Sequence, residues 1–221
     1  MDMQNAQANE FAGMLESDEM DVEQAAHLVM LDAAALQKSL EGLLAKDDLY
    51  RFNCLKVLLH VCETRPQVLL PAWTFLAGLL GSGNAYQRSI GVQLLSYLAE
   101  VDDAGRFAAI FDDYFALLDD ESLVVARHTA RNAGRIAMTR PDLRPIITAR
   151  LLDIDATHFP QDRKDLIKAD VFQAFENYFE TSEDQAAMLA FAARNIDCAS
   201  PKGSQAARDF LDQFTNIQEK P

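Results

Sequence analysis

A repeat of about 38 residues constrains the fold of this chain more than any other feature of its sequence. Two Thr-Arg-Pro triplets begin at Thr64 and Thr139, and each follows an apolar segment with helical spacing. Arginines recur at intervals of 37 and 39 residues, at Arg51, Arg88 and Arg127. Each arginine opens a predicted helix, and the segment before it ends in paired leucines. Because one such unit cannot bury its apolar face alone, the repeat predicts a stack of helical hairpins.

The apolar residues follow the period of a helix and not that of a strand. Leu55, Leu58, Leu59 and Cys62 are spaced i, i+3, i+4 and i+7, and Phe107, Phe111 and Phe115 form a predicted core stripe. The sequence contains no Asn-Gly or Asp-Gly dipeptide, which is typical of tight β-hairpins. We therefore predict an all-α protein.

Residues that favour helix ends occur between the predicted helices. Prolines at positions 66 and 141 are placed to open new helices, where a missing N–H costs no hydrogen bond. Asn84 is a predicted N-cap, as is Ser200 before Pro201. Ser182 and Gln185 have the spacing of a capping box.

These residues resemble the HEAT repeats and the related armadillo-like α-solenoids. The segment 104–138 fits best, since Leu117-Leu118 precede the turn acids Asp119 and Asp120, and Arg127 then opens a helix with small inner residues. The resemblance implies a right-handed α-α superhelix of about four hairpins plus capping helices. The predicted repeats are residues 33–63, 66–101, 104–138 and 141–180, within a single domain over 17–216. Residues 17–31, 182–198 and 201–216 are predicted capping helices, and residues 1–16 a flexible acidic N-terminus.

The resemblance also implies a role for the recurring arginines. In HEAT repeats the arginine that opens the second helix commonly bonds a turn acid. By analogy, we expect Arg127 to bind Asp119 or Asp120. We assign Arg51 and Arg88 the same structural role.

Other arginines have no such role in the repeat pattern. Arg131 and Arg135 follow Arg127 at i+4 and i+8 on one predicted helix, and Arg144 lies beyond the next turn. Our hypothesis is that Arg131, Arg135 and Arg144 contact a protein partner through an acidic or phosphorylated segment.

The composition of the chain and the motifs that it lacks disfavour several classes of function. The chain has 34 acidic and 20 basic residues, a net charge of −14, which disfavours a general nucleic-acid binder. No secretory signal, membrane-length apolar run, metal-binding His motif, nucleotide-binding loop or nucleophile motif is visible in the sequence. We therefore expect no catalytic residue, no metal site, no cofactor and no membrane contact. Three cysteines in no disulfide pattern indicate a reducing cytoplasm.

Two classes of function remain open for this sequence. The first is a non-enzymatic scaffold that binds a protein segment on its helical surface. The alternative is a DNA-binding repair protein resembling the HEAT-like alkylpurine DNA glycosylases. The basic stretch 122–150, which holds six arginines and one acid, favours this alternative.

Overall fold

The computed structural model describes residues 10–215, and these residues form helices and turns with no strand. The prediction of an all-α chain is confirmed. The chain divides into two compact units, one ending at Asp102 and the other beginning at Asp103. No helix within residues 10–215 is long and apolar enough to cross a membrane.

Unit 1 contains a capping segment and two hairpins. Its α-helices are α1 (residues 10–15), α2 (Val22–Leu31), α3 (Ala33–Gly42), α4 (Asp48–Thr64), α5 (Trp73–Leu79) and α6 (Ala85–Leu98). A 3₁₀ segment, Pro66–Ala72, leads into α5. The carboxylate of Asp47 caps α4 by accepting the Tyr50 N–H at 2.8 Å. Asn84 caps α6 as predicted, since its side chain accepts the Tyr86 N–H at 2.8 Å.

Unit 2 contains two further hairpins and the C-terminal helices. Its α-helices are α7 (Arg106–Ala109), α8 (Phe111–Ala116), α9 (Leu123–Thr139), α10 (Arg144–Leu152), α11 (Gln161–Glu176), α12 (Gln185–Ala193) and α13 (Pro201–Thr215). The predicted stripe of Phe107, Phe111 and Phe115 is buried in its core. Phe210 and Phe214 of α13 stack with Phe179, so the last helix closes this core with aromatic side chains.

The two helices of each hairpin differ in how they are built. The second helices, α4, α6, α9 and α11, are continuous over 14 to 17 residues. They pack against each other in chain order, α4 on α6 in unit 1 and α9 on α11 in unit 2. The first helices are shorter, and a 3₁₀ segment precedes α5 in the second hairpin while a 3₁₀ turn follows α8 in the third. The second helices therefore form the continuous layer of each unit.

Some predicted boundaries differ from the structure. Residues 10–15 are helical, with Phe11 and Leu15 buried, whereas we expected flexibility through residue 16. The amide of Asn53 donates to the Leu15 carbonyl at 3.0 Å and anchors this segment to α4. The rest of the predicted N-terminal tail, residues 1–9, lies outside the described residues, as does residue 216 of the last cap.

Three predicted helix starts also move, and the first is that of α2, which begins at Val22 and not at residue 17. Helix α10 begins at Arg144 and not at Pro141, because residues 141–143 form a turn first. Helix α12 begins at Gln185, and the Ser182 hydroxyl accepts from Asp184 in that turn instead of forming a capping box.

Candidate functional site

An open groove lies between the first helices of the two hairpins in unit 1. One wall is α3 and the other is the segment from Pro71 to Phe75. We call this cavity of about 440 Å³ the unit 1 groove. It is lined by Ala33, Leu36, Gln37, Leu40, Glu41, Leu44, Pro71, Ala72 and Phe75. Most of these side chains are apolar, and Leu44 is 46% exposed.

A second groove occupies the corresponding place in unit 2. It lies between α7 and α8 on one side and α10 on the other, and it measures about 550 Å³. We call it the unit 2 groove, and it is lined by Ala108, Phe111, Asp112, Leu143, Ile146, Ala149, Arg150 and Asp153. An ion pair of 2.7 Å joins Arg150 to Asp112 within this lining. Each unit therefore leaves a groove between its first helices, although the second helices pack closely.

A buried carboxylate holds two of the predicted functional arginines. The Asp170 side chain on α11 is 1% exposed, and its Oδ2 accepts from Nε of Arg127 at 2.6 Å. Its Oδ1 accepts from Nε of Arg131 at 3.2 Å and also from Nη2. We call Arg127, Arg131 and Asp170 the arginine clamp. It joins α9 to α11 through charge-assisted hydrogen bonds.

The arginine clamp corrects two expectations. Arg127 binds Asp170 and not the turn acids Asp119 or Asp120 that we expected. Arg131, which we expected to face only a partner, has an ion-pair partner within the chain, although its side chain remains 50% exposed. Reversing the charge of Arg131 would therefore disturb the α9–α11 contact as well as the surface.

Burial and, after it, the Arg131 charge lower the pKa of neighbouring His128, while Asp170 opposes this shift. The neutral imidazole adds no third positive charge beside the clamp.

The other predicted binding arginines are also held by the chain. Arg144 donates from Nε to the Ala137 carbonyl at 3.0 Å and from Nη1 to the Thr181 carbonyl at 2.5 Å. Arg135 lies half-buried on α9. The three arginines of our hypothesis therefore do not form a row of freely extended cations.

The remaining predicted structural residues have local partners. Arg51 forms an ion pair with Asp48, and its Nη1 donates to the Ala45 carbonyl at 2.9 Å. Arg88 is buried, and its Nη1 donates to the Ser82 carbonyl at 2.7 Å. Asp120 accepts the Ser122 N–H at 2.7 Å at the start of α9.

Asp119 binds both the backbone N–H and the ring Nδ1 of His158, at 2.7 and 2.6 Å. Partial burial works to raise the pKa of Asp119, but these bonds outweigh it and lower the pKa.

A buried lysine forms a second polar cluster in unit 2. The Lys168 ammonium contacts Asp155 at 2.7 Å, Asp165 at 3.2 Å and the Asn195 amide oxygen at 2.9 Å. Asp165 also accepts the Ala199 N–H at 2.9 Å. Burial works to raise the pKa of Asp165, but its bonds to Gln161 and Lys168 lower it overall. The cluster fixes the 195–199 loop against α11 and satisfies the charges that it buries.

The cysteines are free thiols, and two of them lie in the core of unit 1. Cys54 and Cys62 are buried, and Cys198 is partly exposed. Burial raises the pKa of the Cys54 thiol to about 12. Within residues 10–215, no group of three His, Cys, Asp or Glu side chains is arranged to hold a metal ion.

We expect iodoacetamide to alkylate Cys198 first in the native protein. The shift of the Cys54 pKa from 9.0 to about 12 lowers its thiolate fraction at neutral pH by roughly a thousandfold, and burial also blocks the reagent. Mass spectrometry of timed digests measures the rates. In urea all three cysteines should react at similar rates. Fast native labelling of Cys54 would contradict the buried, protonated thiol.

Sequence reasoning missed the grooves. The apolar residues that form the first wall of the unit 1 groove have a helical spacing of their own, from Ala33 through Leu36 and Leu40 to Leu44. This second stripe is the signal that the sequence offers. The paired-leucine pattern of the repeat hides it, because that pattern does not distinguish Leu43 from Leu44. The structure buries Leu43 and exposes Leu44.

Comparisons with known proteins add little to this picture. No protein-family model and no curated protein matches the chain. A crystal structure of an engineered protein, a target of the Northeast Structural Genomics Consortium, is similar with a TM-score of 0.47 and 13% identity. The match covers 94% of this chain and 97% of that chain.

Proposed function

We propose that this chain is a non-enzymatic scaffold that resembles HEAT-repeat proteins and binds segments of a protein partner. One observation carries the proposal: in both units an open groove lies between the first helices of consecutive hairpins, with a mainly apolar lining in unit 1 and a mixed apolar and charged lining in unit 2. Helical-repeat proteins bind partners along surfaces of this kind, since the stacked helices hold the surface rigid.

The buried charged groups support this proposal because they serve the architecture. The carboxylate of Asp170 joins α9 to α11, and Lys168 joins α11 to the loop before α13. Each of these groups is bonded to named neighbours, and neither lies in the lining of a groove. The unit 1 groove instead offers apolar contact area with one charged residue, and the unit 2 groove combines apolar side chains with Asp112, Arg150 and Asp153, which suits recognition of a protein segment.

The partner in this proposal differs from the one expected from the arginines. Since Arg131 and Arg144 are bound within the chain, an acidic or phosphorylated segment loses much of its support. Apolar anchors that enter the grooves provide the contact instead. In unit 1, Glu41 then selects a positive charge beside those anchors.

Affinity capture with matched variants tests the proposal. We would compare the wild-type chain with Leu44→Glu and Ile146→Glu, which place a charge in the unit 1 and unit 2 grooves. Leu31→Glu and Val124→Glu are the controls, because both side chains are exposed and lie outside the groove linings. Thermal melts would check that all four variants fold.

In nuclease-treated lysate, we expect the wild-type chain and both controls to capture the same partner protein. At least one groove variant should fail to capture it. Retention of every partner by both groove variants would contradict the proposal. Recovery of nucleic acid as the main ligand from a parallel lysate without nuclease would instead favour the DNA-binding alternative.

A further inference from the structure

The unit 1 groove is long enough to contact two to three turns of helix. Its lining on α3 runs from Ala33 to Glu41, about 12 Å at 1.5 Å per residue, and Leu44 extends it just past the end of α3. Pro71 and Phe75 form the opposite wall over one further helical turn. Leu36 and Phe75 are half-buried and Leu44 is exposed, so these apolar surfaces are reached from solvent.

The walls of this groove favour a helical occupant. Most of the lining atoms belong to apolar side chains of helical segments, whose backbone groups are already bonded within the helices. An extended peptide would find no backbone partners in these walls, and each N–H or C=O group that it turns toward the apolar lining would lose its hydrogen bond to water, at a cost of about 1 to 3 kcal/mol. No strand edge is available in the described part of the chain for pairing with such a peptide. A helix satisfies its own backbone and presents only side chains to the groove.

Charge at the groove favours a basic occupant. Glu41 is the charged residue of the lining, and it is exposed and held by the Gln37 amide at 2.9 Å. Asp32 and Asp47 lie just beyond the two ends of α3, and both are exposed. The stretch 32–48, which contains α3 and its flanks, holds four acids and two lysines. A partner with lysine or arginine beside its apolar anchors therefore binds this site more tightly, and an acidic partner is repelled.

We propose that the unit 1 groove binds an amphipathic helix of a partner protein, with apolar anchors at i, i+3, i+4 and i+7 and lysine or arginine flanking them. This inference rests on the proposed scaffold function and specifies its partner. Leu36, Leu44 and Phe75 receive the anchors. Glu41 pairs with a flanking cation.

A peptide library selected on the full chain tests this inference. The probe is a phage-displayed library of random peptides about 16 residues long, enough for four turns of helix. We expect enriched peptides to carry apolar residues at helical spacing and an excess of Lys and Arg over Asp and Glu. Their affinity, measured by fluorescence anisotropy on synthetic peptides, should fall about tenfold or more with Leu44→Glu, which places a charge among apolar anchors. Leu31→Glu, a leucine that is 69% exposed and outside the lining, should leave affinity unchanged.

A charge exchange tests the role of Glu41. Glu41→Lys should weaken the selected basic peptides by about two- to fivefold, the range for exposed ion pairs. Replacing the facing lysine of the peptide by glutamate should restore affinity for that variant and weaken wild type. The effect should shrink as salt increases.

Other results would overturn the inference. These are enriched peptides that are acidic or lack helical spacing, binding that Leu44→Glu does not change, or no enrichment. Self-association of the chain that Leu44→Glu abolishes would assign the groove to a second copy. Displacement of the selected peptides by a free fatty acid at lower concentration than by peptide would assign it to a small apolar ligand.

The two proposals can fail separately. If a captured protein is lost with Leu44→Glu while the selected peptides are acidic or extended, the scaffold function stands and the amphipathic basic helix is wrong. If neither captured proteins nor peptides respond to any groove variant, both are wrong.

Discussion

Replacing Asp170 by alanine should lower the free energy of unfolding by about 3 kcal/mol, because it leaves two guanidinium groups together without their counter-charge. Arg127 and Arg131 bind this carboxylate from adjacent turns of α9, and the Asp170 side chain is 1% exposed. The expected loss is at the lower end of the range for broken buried pairs, since water reaches part of both arginines. Urea unfolding followed by circular dichroism measures the shift in midpoint.

Two further variants separate the charge effect from general damage. Asp142→Asn removes an exposed partner of Arg140 and should change stability by less than about 1 kcal/mol. The triple variant Asp170→Leu/Arg127→Met/Arg131→Met removes the whole arginine clamp and should recover much of the loss, since no unpaired charge remains. The expectation is wrong if Asp170→Ala costs no more than Asp142→Asn.

Trp73, the single tryptophan, lies in unit 1, so its fluorescence shows whether unit 1 unfolds with unit 2.

Replacing Gly134 by alanine should destabilise unit 2 by about 2 to 3 kcal/mol, at the upper end of the usual cost of overpacking. A Cβ at this position would lie 2.6 Å from the Ala174 carbonyl oxygen and 2.7 Å from its Cα, and closer still to the Asn177 side chain. Since two of these atoms are backbone, α9 and α11 would have to separate. The arginine clamp on the same pair of helices would lengthen with them.

Gly78→Ala is the matched control for this substitution. Gly78 lies in α5, where an added Cβ would meet no heavy atom of another segment within 4 Å, so alanine should be neutral or stabilising by up to about 1 kcal/mol. Thermal melts and urea curves of both variants provide the comparison. Equal stability of Gly134→Ala and wild type would show that α9 and α11 can move apart without cost.

The helical stack could be read from the sequence because its signals are local. Apolar spacing in each segment selects helix, and Asn84 caps α6 through a side chain two residues from its target. Ser200 and Pro201 likewise mark the start of α13 correctly. Such contacts depend on near neighbours in the chain, so pattern alone predicts them.

The arginine contacts could not be read in the same way. Arg127 has two acids within eight residues, Asp119 and Asp120, yet it binds Asp170, which is 43 residues away. The repeat pattern places an acid near each such arginine. It does not show whether the arginine binds that acid in the local turn or an acid on a neighbouring helix. Burial decides the ranking, because Asp170 is enclosed between α9 and α11 and requires a cation there.

The sequence by itself determined that this chain is helical, repeats about every 38 residues and builds hairpins, because periodicity and helix caps act over a few residues. Only the tertiary structure decided that the second helices pack tightly while the first helices leave grooves. That outcome depends on close contacts such as Gly134 against Ala174, which lie far apart in the chain. It also decided that Leu44 faces solvent while Leu43 is buried, since the two adjacent side chains point in different directions in the turn after α3 and packing selects which one enters the core.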